Sequence, residues 1–421
     1  YGSTLSADGF VSEQFDFMLS NPPYGKSWKT DMERMGGKSD LKDPRFVVEY
    51  GEEPEYKMIP RSSDGQLLFL VNKLIKMKER SKLGSRIVQV HNGSSLFTGD
   101  AGQGESNIRR WIIENDWLEA IIALPENIFY NTGISTYIWV LTNRKSEERR
   151  GKVQLIDASG WYQPLRKNMG KKNCELSESH IQDICNLIIH PIETEQSKIF
   201  PNAAFGYQKV VVERPLRLSV LLTEKNLRHF KQLCTEAKEM ALFSVVETVA
   251  HELGEGPHVN YNNFLDVMEL KAWNMGVKLT AKSKNFLRAN LAVSDESADP
   301  VIKKSYKAGK RKPDPLYGIY ETSVKGKKVV VEYEPDSNLR DSEQVPLLEG
   351  GGIDSFMKRE VLSYTPDAWV DGNKTQIGYE ISFTRHFYKP VPMRTLEEIK
   401  ADIFALEQET EGLLEDIVGE K

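Results

Sequence analysis

Two consecutive prolines, Pro22 and Pro23, constrain the start of this chain more than any other feature. They follow residues 15–20 (FDFMLS), an apolar run suited to a buried strand, and they end it because neither residue has an amide hydrogen for a ladder. Asn21 to Tyr24 must therefore stand at a strand's C-terminal end. The next polar stretch, rich in Gly, Lys and Asp and running to about Asp64, is too long for an ordinary connection and reads as a functional or mobile loop.

Beyond it the hydrophobic period alternates. Residues 66–80 place Leu67, Leu70, Leu74 and Met77 on one helical face. Strands are predicted at 86–91, 117–124, 136–142 and 153–157, with a helix at 107–115. Strands alternating with helices imply an α/β fold built on a doubly wound, largely parallel sheet, with an antiparallel edge where 117–124 and 136–142 lie a short loop apart. Ligands of such sheets bind beyond the carboxyl ends of the strands, which is where Asn21 to Tyr24 fall.

A length of 421 residues suggests two to three domains. The divisions expected are a sheet domain over 1–165, a mostly helical region over 166–310 with helices at 178–190, 224–252 and 262–270, and a C-terminal region over 311–421. Residues 301–315, basic and without an acid before Asp314, read as an exposed linker, 328–333 as a short strand and 349–354 as a loop. Within 394–418, Leu396, Ile399, Ile403, Leu406, Thr410, Leu413 and Ile417 repeat at spacings of three and four, flanked by acidic residues. So narrow a seam seeks another helix, and periodicity leaves open whether that helix belongs to a partner or to this chain.

No stretch reaches the length of a membrane span and no signal peptide precedes the first strand, so a cytoplasmic protein without membrane contact is expected. Cys174, Cys185 and Cys234 are widely spaced and in no CxxC pair, which disfavours a disulfide framework or a cysteine metal site. A net charge of −5 argues against a protein that coats DNA, but not against a local basic groove or a partner that reads the sequence.

Asn-Pro-Pro-Tyr suits one chemistry in particular. An exocyclic amine on an aromatic ring is a poor nucleophile because its lone pair is delocalised. Accepting its two N–H groups, one on the Asn21 side-chain oxygen and one on the Pro22 carbonyl, favours localisation of that pair on nitrogen, and Pro22 and Pro23 hold the acceptors without reorganisation. Tyr24 can stack on the ring. Positioning against an electrophilic methyl group then carries the step.

Residues 15–25 (FDFMLSNPPYG) resemble motif IV of the adenine-N6 DNA methyltransferases, and the wider chain resembles the modification subunit of type I restriction-modification systems. The likeness extends through 92–143, 205–218 (FGYQKVVVERPLRL), 341–349 (DSEQVPLLE), 359–371 and 378–390. It implies a Rossmann-like class I methyltransferase sheet, followed by a mostly helical region and a C-terminal partner-docking helix. It also implies S-adenosylmethionine as donor, double-stranded DNA as substrate, and a DNA-specificity subunit, met by helix 394–418, and a restriction subunit as partners. By the same likeness Asn21, Pro22, Pro23 and Tyr24 hold the target amine and base, and Phe129 or Tyr130 offers a second aromatic face to a flipped adenine, though either ring could instead be core. The family's Gly-rich donor loop precedes this motif, so the chain is expected to hold the C-terminal half of the sheet and to be inactive alone. A non-catalytic scaffold, or methylation of a glutamine amide or an RNA base, are the alternative readings.

Other signals are weaker. Residues 98–106 approach a phosphate-binding loop, but Glu105 stands where its lysine belongs, leaving a strand-to-helix loop. His251 and Glu252 lack the second histidine of a zincin, and a helix ending near Gly254 explains them. His91 follows a strand of the sheet and reads as a hydrogen-bonded structural histidine, with a place lining the cleft as the lesser alternative. Arg144, Lys145, Arg149, Arg150, Lys152, Arg166, Lys167, Lys171 and Lys172 form an interrupted basic run, read mainly as solvated surface with phosphate contact as a minor alternative.

Overall fold

A computed structural model describes residues 3–37, 41–307, 309–324, 326–388 and 394–406. Along the first half run β1 (Phe17–Ser20), the hairpin β2 and β3 (Val47–Tyr50, Glu53–Lys57), β4 (Arg86–Asn92), β5 (Leu118–Leu124), β6 (Thr136–Thr142), β7 (Lys152–Asp157), the hairpin β8 and β9 (Gln163–Met169, Lys172–Glu175) and β10 (Ser197–Pro201). Six of these build one sheet in the order β1-β4-β6-β5-β7-β10. β1 is parallel to β4 and β5 to β7, while β6 runs antiparallel to both β4 and β5. The carboxyl ends of β1, β4, β5 and β7 therefore share one edge.

Helices cover both faces. On one, Gln66–Leu74 and Gly104–Glu114 bury Leu67, Leu70, Ile108 and Ile112 in a core with Ile87, Ile121 and Trp139. On the other, Glu178–Ile189 packs Ile184 against Ala120, Ile122, Val140 and Ile156. This layering is the mixed α/β arrangement expected from the alternation.

Several sequence-based expectations need correction. β1 is an edge strand rather than a fully buried one: Met18 faces the core, but Phe17 and Leu19 are 74% and 77% exposed, because alternate side chains point to opposite faces. The antiparallel strand β6 lies inside the sheet and not at its edge, since it pairs on both sides. The sheet does not end at 165: the expected last strand is followed by β10, which pairs antiparallel with β7. The helix at 66–80 stops at Leu74, with Met77 bridged to Phe15.

The second half adds β11 (Gly206–Glu213), β12 (Leu218–Val220), β13 (Ala292–Ser294), β14 (Ile302–Tyr306), β15 (Ile319–Val324), β16 (Lys327–Tyr333), β17 (Asp341–Pro346) and β18 (Trp369–Tyr379). The proposed helix at 224–252 is two helices, Glu224–Glu236 and Met240–Leu253, broken where Lys238 adopts φ +59°. With Tyr261–Asn274 and Ala281–Leu291 they enclose a core of Val220, Phe230, Val246, Phe264 and Leu287. The expected linker at 301–315 contains β14, which pairs with β16, so Lys303 and Lys304 lie on a strand. The expected loop at 349–354 includes the start of a short helix, Gly352–Phe356. β11 pairs with both β17 and β18, and β18 leads into Ile381 and Phe383, which enter the core of the first sheet.

Of the heptad-like segment at 394–418, residues 396–406 are helical, with Leu396, Ile399 and Ile403 exposed. Thr410, Leu413 and Ile417 lie outside the described residues. Among the described residues no helix is long and apolar enough to cross a membrane, and no cluster of His, Cys, Asp or Glu could hold a metal ion.

Candidate active site

β1 ends at Ser20 because the next residues that could donate to β4 are prolines. Beyond it Asn21 is exposed, Pro22 buried, Pro23 exposed and Tyr24 half-buried. Gly25, at φ +66°, reverses the chain in a conformation that favours glycine. The return is then stitched to the segment entering the first covering helix. Trp28 N–H donates to Ser62 O at 3.0 Å, its indole Nε1 to Arg61 O at 2.9 Å, and Gly65 N–H to Lys26 O at 3.3 Å. The Asn-Pro-Pro-Tyr turn is thus fixed at both ends, with Asn21 exposed.

A polar network supports it from below. Ser20 faces Gln89 across the parallel ladder, and the Ser20 hydroxyl donates to Gln89 Oε1 at 3.2 Å. The Lys73 ammonium donates to both Ser20 Oγ and Gln89 Oε1. Burial pushes Lys73 down to about 8 from its ordinary value of 10.5. Gln89 is fully buried and passes its amide to Gln66 O at 3.3 Å. Gln66 Nε2 in turn donates to Asp64 Oδ2 at 2.7 Å and Asn92 Oδ1 at 2.6 Å. Gln66 Oε1 accepts from the Asn92 N–H and lies 3.1 Å from His91 Nδ1. That partner is an acceptor, so Nδ1 carries the proton, and the buried Nε2 has no hydrogen-bond partner. Burial, helped by the nearby Lys73 charge, holds His91 down to about 3, so it is neutral and structural. Sequence reasoning found His91 but missed Lys73, Gln89 and Gln66. The available signal was the helix QLLFLVNKL, apolar on almost every side, in which a lysine cannot reach open solvent freely.

Phe129 and Tyr130 lie on the loop between β5 and β6, at the same sheet edge. Phe129 packs against the core of Ala120, Ile122 and Val140, whereas the Tyr130 ring is 64% exposed. Three strand spacings, about 14 Å, separate the ends of β1 and β5. Residues 98–103 form the loop expected before the helix Gly104–Glu114. There the Glu105 carboxylate accepts from Arg61 N–H at 3.0 Å, a structural contact and not a phosphate cradle. His251 sits on the last turn of Met240–Leu253, which Gly254 ends at φ +78°.

With this geometry in view, residues 1–212 match the model of the N-6 DNA methylase family. Among curated relatives, the chain is 29% identical over 177 residues to the type I restriction enzyme MjaIX methylase subunit of Methanocaldococcus jannaschii, covering 42% of this chain and 28% of that one. It is 43% identical over 162 residues to the MjaVII methylase subunit of the same organism, covering 38% and 25%, and 25% identical over 183 residues to the EcoKI methylase subunit of Escherichia coli, covering 43% and 29%. The matched stretch thus spans less than a third of each relative's length. A solved type I restriction-modification methyltransferase subunit from Streptococcus thermophilus is similar at 24% identity and a TM-score of 0.38, over 48% of this chain and 38% of that one. With half of its length matched by the family model, the chain belongs to the N-6 DNA methylase family.

Proposed function

We propose that this chain carries the adenine-facing part of a DNA adenine-N6 methyltransferase, the modification subunit of a type I restriction-modification system. The observation that carries this reading is the Asn-Pro-Pro-Tyr turn, held at the carboxyl end of β1 with its Asn21 amide exposed and its Pro22 buried. A flipped adenine would place one N6 proton on Asn21 Oδ1 and the other on the Pro22 carbonyl, leaving the nitrogen lone pair directed out of the ring plane. Tyr24 would lie against one face of the base, and Tyr130, with its exposed ring, is the better candidate than Phe129 for the other. After transfer the methylated nitrogen, now cationic, releases its extra proton to solvent water, with Asn21 Oδ1 only accepting a hydrogen bond.

S-adenosylmethionine, the donor the family implies, supplies an electrophilic methyl group when bound. The described residues fit the acceptor side of that reaction. None is assigned to holding the donor, because among the described residues no strand runs into a GxGxxG turn. The exposed seam of Leu396, Ile399 and Ile403 supports docking of the C-terminal helix to a DNA-specificity subunit, with a restriction subunit as a further partner.

The test is Asn21→Ala in the full-length subunit assembled with its partners. Methyl transfer to duplex DNA should fall by about 100-fold or more while DNA affinity is retained. Full activity in that variant would overturn the assignment.

A further inference from the structure

The interrupted basic run divides in three dimensions. Of its first part, Arg150 and Lys152 stay exposed, while the other three members are tied into the fold. Lys145 is buried and paired with Asp116 at 2.6 Å, Arg149 is buried beside Glu119 at 3.5 Å, and Arg144 donates to Glu79 O at 2.8 Å. Its second part lies on the β8 and β9 hairpin. Arg166, Lys167 and Lys171 are exposed, Lys172 is half-buried, and none of the four makes an ion pair among the described residues. Glu175 is the one acid between Gln163 and Glu175, and it accepts from Gln163 Nε2 at 3.0 Å.

An isolated two-stranded ribbon is marginally stable in water, so something must hold this one. Asn173 N–H donates to Asn127 O at 3.2 Å and the Cys174 thiol to Glu126 O at 3.1 Å. The turn residue Gly170, at φ +63°, lies so close to Asn131 and Tyr130 that a Cβ there would come within 2.5 Å of Asn131 Oδ1. The ribbon is therefore clamped along the loop that carries Tyr130, at the edge bearing Asn21. Between ribbon and sheet edge lies an open cleft of about 690 Å³ whose lining includes Asn127, Tyr162, Asn168, Asn173 and one acid, Glu126, which accepts from the Ser135 hydroxyl at 3.1 Å.

We propose that the β8 and β9 hairpin is a DNA-backbone grip, its four cations contacting phosphates of the duplex from which the target base is flipped. This rests on the reading of the Asn21 site given above. Charge complementarity selects the partner: the whole chain carries −5, so a polyanion is attracted by a local patch and not by the molecule as a whole. Position sets the register. The ends of β5 and β7, which bracket the hairpin's anchor, stand three and four strand spacings from β1. That distance of about 14 to 19 Å corresponds, at 3.4 Å per base pair, to phosphates about four to six base pairs from the flipped base.

The test compares this chain with a variant carrying R166A, K167A, K171A and K172A, binding a fluorescent 30-base-pair duplex at a series of salt concentrations. Four lost phosphate contacts should make the slope of log affinity against log salt shallower by about 3.5, and two by about 2. A control variant, K225A, R228A, K231A and K282A, removes the same charge from the helical region and should leave the slope unchanged. An unchanged slope in the hairpin variant, or equal changes in both, would overturn the proposal. The paired substitutions R166E and K167E, both at exposed positions, serve if the fourfold variant does not fold. The two readings separate in the assembled enzyme. If methylation proceeds in the hairpin variant with an unchanged KM for DNA, the grip falls and the methyltransferase reading stands. If the hairpin governs DNA binding by a subunit that methylates no adenine, the reverse holds.

Discussion

Lys73 is the least expected charge in the molecule, and replacing it by methionine isolates its effect. The ammonium lies under the strand that presents Asn21, bonded to Ser20 and Gln89 and, among the described residues, in no ion pair. In the unfolded chain it keeps its proton up to 10.5, whereas burial lets the folded chain release it at about 8. Between those values the unfolded state binds more protons, so folding stability rises with pH through that window. The full displacement is worth about 3 kcal/mol, of which about 2 kcal/mol should be gained by pH 9.5. Hydrogen bonds from the ammonium to two neutral oxygens favour the charged form and act against this gain. Lys73→Met has no such proton to lose and nearly fills the same space. Urea unfolding followed by tryptophan fluorescence, repeated from pH 7.5 to 9.5, gives the difference between the two proteins. His91 stays neutral throughout that range, and tyrosines such as Tyr50 and Tyr379, raised by burial, contribute equally to both proteins. The wild type should gain on the variant as pH rises. A difference that stays flat, or that falls with pH, would refute the claim that desolvation governs this lysine.

Two further outcomes follow from buried polar groups. Arg109 is fully buried and donates to Tyr379 O at 2.6 Å, Thr98 O at 2.8 Å and Ser95 O at 3.0 Å, tying β18 to the first sheet. Arg109→Met removes the guanidinium donor from Thr98 O and Ser95 O and leaves Tyr379 O to the Ser106 hydroxyl at 3.4 Å, and it should destabilise by about 2 to 4 kcal/mol, read from the urea midpoint. His91, held down to about 3, must take up a proton on unfolding below its ordinary value of 6.5, so stability is lost as pH falls from 6.5 toward 3. The loss should reach about 4 kcal/mol by pH 3.5, and comparison with His91→Phe over pH 4 to 7 should show a gap that widens in favour of the variant as the solution is acidified.

How far the sequence disclosed this structure depended on where each residue's partners lie. β4, β5, β6 and β7 were legible because their apolar runs are bounded by polar turns. The position of β6 between β4 and β5 was not, since pairing order depends on contacts between segments rather than on the pattern within one. The hairpin β8 and β9 was missed because QPLRKNM has no apolar face to bury, the ribbon being held by the Asn173 N–H and the Cys174 thiol on the 126–127 segment. β14 was hidden for the same reason: IKKSY is polar, and its pairing with β16 comes from a strand distant in sequence. The place of the Asn-Pro-Pro-Tyr turn was legible because proline acts locally, through its own missing amide hydrogen.

That contrast also explains why the supporting residues of the site escaped notice. Asn21 is set by its neighbours in sequence, but its height above the sheet is set by Ser20, Gln89, Lys73 and Gln66, which come from β1, β4 and the helix Gln66–Leu74. Each link in that network ends on a side-chain or backbone group that is itself buried or tied, so displacing Asn21 would break hydrogen bonds several residues away. Tyr130 has no comparable support from the sheet: it stands on a loop braced by a hairpin whose outer face is charged. One side of the site is therefore preorganised by the core, while the other is attached to the surface proposed to meet the DNA backbone. Duplex bound along that edge would load the hairpin, and through Gly170 and Asn131 the position of Tyr130, without disturbing the acceptor role proposed for Asn21.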